Sequence, residues 1–343
     1  MLDAVVTTDF LHPTQETLLG LDNLVDLRKQ VKDLARERNA LILAHNYQIP
    51  EIQDVADFVG DSLALSQRAA QAQDVELIVF CGVHFMAETA AVLNPNTPVV
   101  IPDLEAGCSL ADSITAEELA AWQAQHPAAV TVMYVNTTAA VKALTDYCVT
   151  SSNAVAVVKH ILDTRGEDTE SLFGPDMFLG AHVERQLGIK MNVWLGECHV
   201  HAGIRPSDIN HMLEENPGAE LMIHPECGCS TAFLEQAGAG DIPASNVSFL
   251  STGGMMTHAV DSPAEKFLVA TETGMIYPLE KENPSKEFIP VNEQAYCRFM
   301  KMITLPKLRD TLLDRDNHNL VEVAPEVASM AAIPIRRMVE INP

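Results

Sequence analysis

The sequence predicts an α/β protein of three similar α/β/α sandwich domains with short parallel sheets, set pseudo-threefold around one central site. Three observations carry this. Apolar runs such as Leu41–Ala44 and Leu77–Phe80 lack polar alternation and are separated by helical stretches, which marks strands buried on both faces of a parallel sheet. Three of these runs end in a polar cluster. Three cysteines, Cys108, Cys198 and Cys297, close successive blocks of similar length, counted from Leu41, Val130 and Leu221. A chain of 343 residues is also too long for one simple core and suits two or three packed units.

From the N-terminal side, Asp22 to Arg38 reads as a helix whose apolar residues Leu24, Leu27, Val31 and Leu34 form one buried face. Strands are expected at 41–44, 77–81, 98–101, 130–135, 190–195, 220–223, 246–250, 266–270 and 287–291. Helical sequence from Asp54 to Ala72 and from Ala116 to Gln125 supplies crossovers of the strand–helix–strand type. The cysteine blocks place the domains at 21–107 with 298–343, at 108–197 and at 198–297. The first 20 residues and the stretch after Asn319 carry no recognisable chemistry.

Lys and Arg total 22 against 47 Asp and Glu, a formal charge of -25. Such a field repels phosphate backbones and anionic lipid, so neither nucleic acid nor membrane is expected as a partner. An anionic substrate would have to be held locally, by hydroxyls, backbone amides, histidines or a metal. The apolar runs are too short to span a bilayer and the N-terminus lacks the layout of a signal peptide, which points to the cytoplasm. Seven cysteines, an odd number in that setting, are expected to be reduced thiols used for metal ligation or catalysis.

The first strand of each block ends in His45-Asn46-Tyr47, Tyr134-Val135-Asn136 or His224-Pro225-Glu226. Further on, each block has a small hydroxyl turn: Gly60-Asp61-Ser62, Thr150-Ser151-Ser152 and Ser251-Thr252-Gly253, the first two running into helical sequence. Ligands of open parallel sheets gather beyond the carboxyl ends of strands, so three such units facing a common axis would direct clusters, turns and thiols into one site. Each residue also has a plain reading. Ser62, Ser151 and Thr252 could be helix caps or turn residues, and the threefold recurrence favours anion binding. Cys81 and Cys148 lie in or beside apolar runs and read as small buried hydrophobes. Cys227-Gly228-Cys229 is spaced too tightly for structural zinc and reads as incidental thiols beside a site loop, with a redox role for the pair left open. His199 is balanced between packing and chemistry, while His201, Met255 and Met256 have no repeat partner and are placed in the core or at the rim. Three dispersed thiolates without a matching fourth suit a cubane iron–sulfur cluster with one open iron, which would be a Lewis acid.

With these residues in view, the chain resembles the quinolinate synthase family, the iron–sulfur enzymes that make the pyridine ring in bacterial NAD biosynthesis. The likeness runs from about residue 25 to 310. It rests on Leu43-Ala44-His45-Asn46-Tyr47-Gln48, Gly60-Asp61-Ser62, Gly82-Val83-His84-Phe85-Met86-Ala87-Glu88-Thr89-Ala90, Tyr134-Val135-Asn136-Thr137, Val149-Thr150-Ser151-Ser152-Asn153-Ala154-Val155, His224-Pro225-Glu226, Ser251-Thr252-Gly253 and Met300-Lys301-Met302-Ile303-Thr304-Leu305, with the three cysteines. The resemblance implies a [4Fe-4S] cluster held by Cys108, Cys198 and Cys297 with one open iron. It implies condensation of iminosuccinate (iminoaspartate) with dihydroxyacetone phosphate to quinolinate, phosphate and two waters. By the same likeness His45, Ser62, Tyr134, Val135, Asn136, Ser151, His224, Pro225, Glu226 and Thr252 bind substrate, and Tyr47, His224, Glu226 and His199 take part in proton transfer. L-aspartate oxidase is the transient partner it suggests for delivery of the unstable imine, an exchange the sequence leaves open. Some family members have a Cys-x-x-Cys pattern at the third ligand; here Cys297 is followed by Arg298-Phe299-Met300. A cluster-bearing hydro-lyase and a redox or sensor protein remain as alternatives, the first separable by turnover without triose phosphate, the second by a fourth ligand and redox cycling. A zinc hydrolase fits less well, because three thiolates make a poor setting for activating water.

Overall fold

Three four-stranded sheets, all parallel, are built one after another along the chain. They are seen in a computed structural model that describes residues 21–230, 233 and 246–343. The first sheet holds β1 (Ala40–His45), β2 (Phe58–Gly60), β3 (Leu77–Cys81) and β4 (Val99–Val100). The second holds β5 (Val130–Tyr134), β6 (Tyr147–Val149), β7 (Ser171–Gly174) and β8 (Asn192–Val193). The third holds β9 (Glu220–Ile223), β10 (Val247–Phe249), β11 (Lys266–Ala270) and β12 (Glu287–Pro290). In each, the spatial order is second, first, third, fourth. The expected three similar α/β units are therefore present, and residues 1–20 lie outside the described residues.

Strands β2, β6 and β7 are absent from the sequence reading, and the reason is local. Each is three or four residues long. Phe58-Val59-Gly60 was absorbed into a single helix from Asp54 to Ala72; the chain instead makes a helical turn at Pro50–Gln53, strand β2 and a helix at Ser62–Ala70. Asp61 stops the merger by capping that helix, its carboxylate accepting from the amide of Ala64 at 2.8 Å. By contrast Ala116–Gln125 is a helix at the expected bounds, opened by a capping box between Thr115 and Glu118.

The helix Leu21–Glu37 buries Leu24, Leu27, Val31 and Ala35 against β1 and the helix Leu305–Leu313, with Leu34 half-buried beside them. Each buried leucine or valine there stabilises by roughly 1.5–3 kcal/mol. The last helix, Pro325–Glu340, ties the first unit to the second: it lies on β6 and on the helices His84–Leu93 and Ala139–Lys142. Ala331, Ile335 and Met338 are its buried residues at that junction. Asn153 Nδ2 donates to the carbonyls of Met338 and Ile341 at 2.9 and 2.8 Å, and Arg337 donates to that of Asp146 at 2.6 Å.

Candidate active site

The register of each sheet puts its polar cluster beside its hydroxyl turn. His45 pairs with Gly60, Tyr134 with Val149 and Ile223 with Phe249, so the chain leaves the first and second strands of every sheet at the same level. The amides of Asn46, Val135 and Leu250 extend these pairings by one more bond, to Gly60, Val149 and Ile223. All three turns then enter helices, at Ser62–Ala70, Ala154–Arg165 and Thr252–Asp261. The third of these was not expected from sequence. The units are cross-linked here: Asn46 Nδ2 donates to Thr252 Oγ1 at 3.0 Å, Ser151 Oγ meets His224 Nε2 at 3.2 Å, and Ser152 Oγ donates to Asp61 at 2.6 Å.

Between these elements lies a cavity lined by His45, Tyr47, Ser62, Tyr134, Asn136, Ser151, His224, Glu226 and Thr252. The three cysteines form another part of its wall. Cys108, Cys198 and Cys297 each follow the last strand of their sheet and each start a single helical turn, their carbonyls accepting from Asp112, Ala202 and Lys301 at 3.1, 2.8 and 3.2 Å. All three are free and partly buried. Burial, and then the neighbouring thiols, raise the pKa of Cys108; burial, then Glu272 and the Cys198 thiol, carry that of Cys297 up to about 11. Turn amides oppose the shift, from Ala111 and Leu110 at Cys108 and from Met300 at Cys297. Protons held this firmly leave a thiol when a metal centre supplies positive charge. Cys198 Sγ also lies within 4.8 Å of ligand atoms of His201 and Glu226.

The polar wall contains a charge pair and two neutral histidines. Tyr134 Oη donates to Glu226 Oε1, and Glu226 Oε2 stands 3.2 Å from His201 Nδ1, an ion-pair contact without full hydrogen-bond alignment. His201 Nε2 is 3.2 Å from Tyr47 Oη and 3.0 Å from Thr271 Oγ1, which are themselves 2.6 Å apart. Burial alone would raise the pKa of Glu226, but His201 and the Tyr134 hydrogen bond bring it down to about 2. Burial would lower that of His201, yet Tyr47, Cys198 and Glu226 hold it well above the ordinary value. His45 and His224 go the other way, to about 3, mainly through burial. Each accepts an amide hydrogen at Nδ1, from Tyr47 at 3.1 Å and from Glu226 at 3.4 Å, which assigns their protons to Nε2. Burial raises Tyr47 and Tyr134 as well, so both phenols keep their protons.

Two expected residues do not line this cavity. Val135 uses its amide in the sheet and buries its side chain; Pro225 borders an outer groove and accepts from Ser230 Oγ with its carbonyl at 3.3 Å. His199 does line it, exposed at the cysteine rim, with Ser109 Oγ 2.6 Å from its Nδ1. His201, expected in the core or at the rim, is buried in the cavity wall, where it joins Glu226 to Tyr47 and Thr271, two residues past His199 in the turn that Cys198 opens. Its signal in the sequence was that adjacency alone. Asp176, a further residue the sequence did not suggest, is buried, and burial and the Glu226 carboxylate raise its pKa well above the ordinary value. Cys81 and Cys148 are buried and free, as expected, and Met255 is core while Met256 borders the groove. Cys227 and Cys229, read as reduced incidental thiols, are joined by a disulfide: the loop after Glu226 brings their Cα atoms to 5.2 Å, inside the span such a bond needs.

The profile of the family described as "Quinolinate synthetase A protein" matches residues 29–340. Curated relatives carry the name quinolinate synthase. That of Mycolicibacterium paratuberculosis is 55% identical over 324 residues, covering 94% of this chain and 91% of the relative. Those of Mycobacterium leprae and Mycobacterium tuberculosis are 54% and 53% identical over the same length, covering 94% of this chain and 90% and 91% of theirs.

Proposed function

Since the chain belongs to the quinolinate synthetase A family of enzymes, we propose that it joins iminosuccinate to dihydroxyacetone phosphate, releasing quinolinate, phosphate and two waters in the synthesis of NAD. The observation that carries this reading is the convergence of three thiols, three hydroxyl turns and one Glu226–His201 charge pair on a single cavity. Such a set suits a reaction in which two anions must be held and several protons moved.

The donor set fits a [4Fe-4S] cluster: three free cysteines from three separate loops, each beginning a turn and together facing one space. Cys108, Cys198 and Cys297 would hold it. Bound there with one iron lacking a protein ligand, it would supply a Lewis acid for oxygen and nitrogen atoms of the reactants.

Both reactants are anionic in a protein of charge -25, so binding must be local. Ser62 and Thr252 open helices and Ser151 lies just ahead of one, so their hydroxyls and the positive ends of those helices receive carboxylate or phosphate oxygens. Asn136 brings a buried amide oxygen with no partner among the described residues, an acceptor for a hydroxyl of the triose. His45 and His224, neutral at working pH, act as Nε2–H donors and keep the site's charge unchanged.

Proton transfer falls to the groups beside these donors, His201 stacked on His224 at 4.8 Å and Tyr47 edge-on to His45 at 4.7 Å. Loss of water or phosphate needs a base at carbon and an acid at the leaving oxygen, and groups whose pKa values are driven apart provide both. Glu226 stays ionised and orients Tyr134, while His201, whose pKa is raised by Tyr47, Cys198 and Glu226, exchanges a proton with the cavity through the Tyr47 hydroxyl. His199 stands at the rim, where it shapes access to the thiols. The test is anaerobic purification with iron and sulfide analysis, then an assay for quinolinate from the two reactants. Turnover of a hydroxy acid without triose phosphate, and no quinolinate, would reject the reading.

A further inference from the structure

Tyr47 is held at both ends, by Thr271 just past β11 and by Lys301 in the turn after Cys297. Its hydroxyl meets Thr271 Oγ1 at 2.6 Å, and its carbonyl accepts a hydrogen bond from Lys301 Nζ. Lys301 is paired with Glu272 at 2.7 Å, their side chains 7% and 0% exposed. Glu272 then reaches back to the main chain: Oε1 accepts from the amide of Cys297 at 2.9 Å and Oε2 from that of Gly274 at 2.7 Å. Glycine is required at 274. A Cβ there would stand 2.7 Å from each of Glu272 Oε2, Lys301 Nζ and the Tyr47 carbonyl. Gln53 Nε2 closes the other side by donating to the carbonyls of Asn46 and Gln48 at 3.0 and 2.9 Å.

A buried ion pair of this kind adds little net stability compared with apolar packing, but breaking it strands a charge in the interior. Its worth lies in what it holds. We infer that Lys301 and Glu272 are positioning residues, forming with Gly274 a clasp that fixes the Tyr47 phenol relative to the Cys297 loop. The thiol wall and the proton-handling wall of the cavity then behave as one rigid piece. The inference rests on the proposed function only for the reaction assayed; the clasp itself is a statement about hydrogen bonds.

The test uses the full-length, iron-loaded protein and the variants Lys301→Met, Lys301→Arg, Tyr47→Phe and the double variant Lys301→Met/Tyr47→Phe. Lys301→Met is expected to keep iron and sulfide near the wild-type content, since all three thiols remain, while kcat falls on the order of 10²-fold, as a small misplacement produces. KM should change only a few-fold, and amide hydrogen exchange at residues 45–48 should quicken. Lys301→Arg should restore part of the rate. In the Tyr47→Phe background the lysine change should cost little more, because the phenol it positions is gone. Multiplying rate losses, unchanged exchange at 45–48, or loss of iron from Lys301→Met would each overturn the clasp. If Lys301→Met fails to fold, Gly274→Ala keeps both charges and must give the same exchange and rate signature. Should the wild type make no quinolinate, the functional reading fails by itself and the exchange measurement still decides the clasp.

Discussion

Replacing Glu226 by glutamine keeps its shape and removes the negative charge that faces both His201 and Tyr134. The variant should fold and bind iron, yet lose on the order of 10²–10⁴ in kcat, the usual range for a group that manages protons. Steady-state assay beside iron analysis checks this. Stability should also follow pH through the buried histidines. Burial, their largest cause of shift, lowers His45 and His224 to about 3 and His182 to about 4, so between pH 6.5 and those values the unfolded chain binds protons that the folded one refuses. Their contribution is complete above pH 6.5 and is lost on acidification, at about 1.4 kcal/mol per pH unit for each. Glu226, lowered from 4.5 to about 2, adds to the loss below pH 4.5. His201, raised, has the opposite sign: its contribution is full below pH 6.5 and disappears as pH climbs through its elevated value. Urea midpoints from pH 4 to 9 should therefore fall off on both sides, steeply on the acid side. At this scale the sequence revealed residues that recur by register, such as His45, Tyr134 and Ser151. It did not reveal His201 or Lys301, whose roles come from contacts across units, nor the Cys227–Cys229 bond, which depends on how one loop folds.

Short elements decide how much of the architecture can be read in advance. Strands of five or six residues, such as β1 and β3, carry enough apolar sequence to declare themselves, whereas β2 at three residues looks like part of a helix. Two of the strands missed, β2 and β6, are ones whose ends carry a hydroxyl turn. The last helix shows the same limit from the other side: it has no chemistry, and its importance lies in bridging two units. Ile335→Ala, which empties a fully buried position at that junction, should cost about 2–5 kcal/mol in urea unfolding while leaving KM unchanged in folded protein. An exposed neighbour on the same helix, Ile333 at 54% exposure, should tolerate alanine within about 0.5 kcal/mol.

Across the whole molecule, the repeat of second, first, third, fourth strand order places one thiol, one polar cluster and one hydroxyl turn from each unit around the cavity. Changing Cys108, Cys198 or Cys297 to alanine should in each case abolish iron retention and quinolinate formation, while Cys81→Ala should leave iron bound. Iron and sulfide titration separates these outcomes, and full activity in any of the first three would refute the ligand assignment. The threefold recurrence of thiols was the most legible property of the chain, because similar spacing survives in sequence even where individual strands do not.

Because each cysteine sits past the final strand of its own sheet, a polypeptide with one misfolded third offers at most two of these sulfurs. Occupancy of the proposed cluster would then report assembly: in a mixed preparation, the iron-to-chain ratio would count the molecules whose three thirds have all been completed.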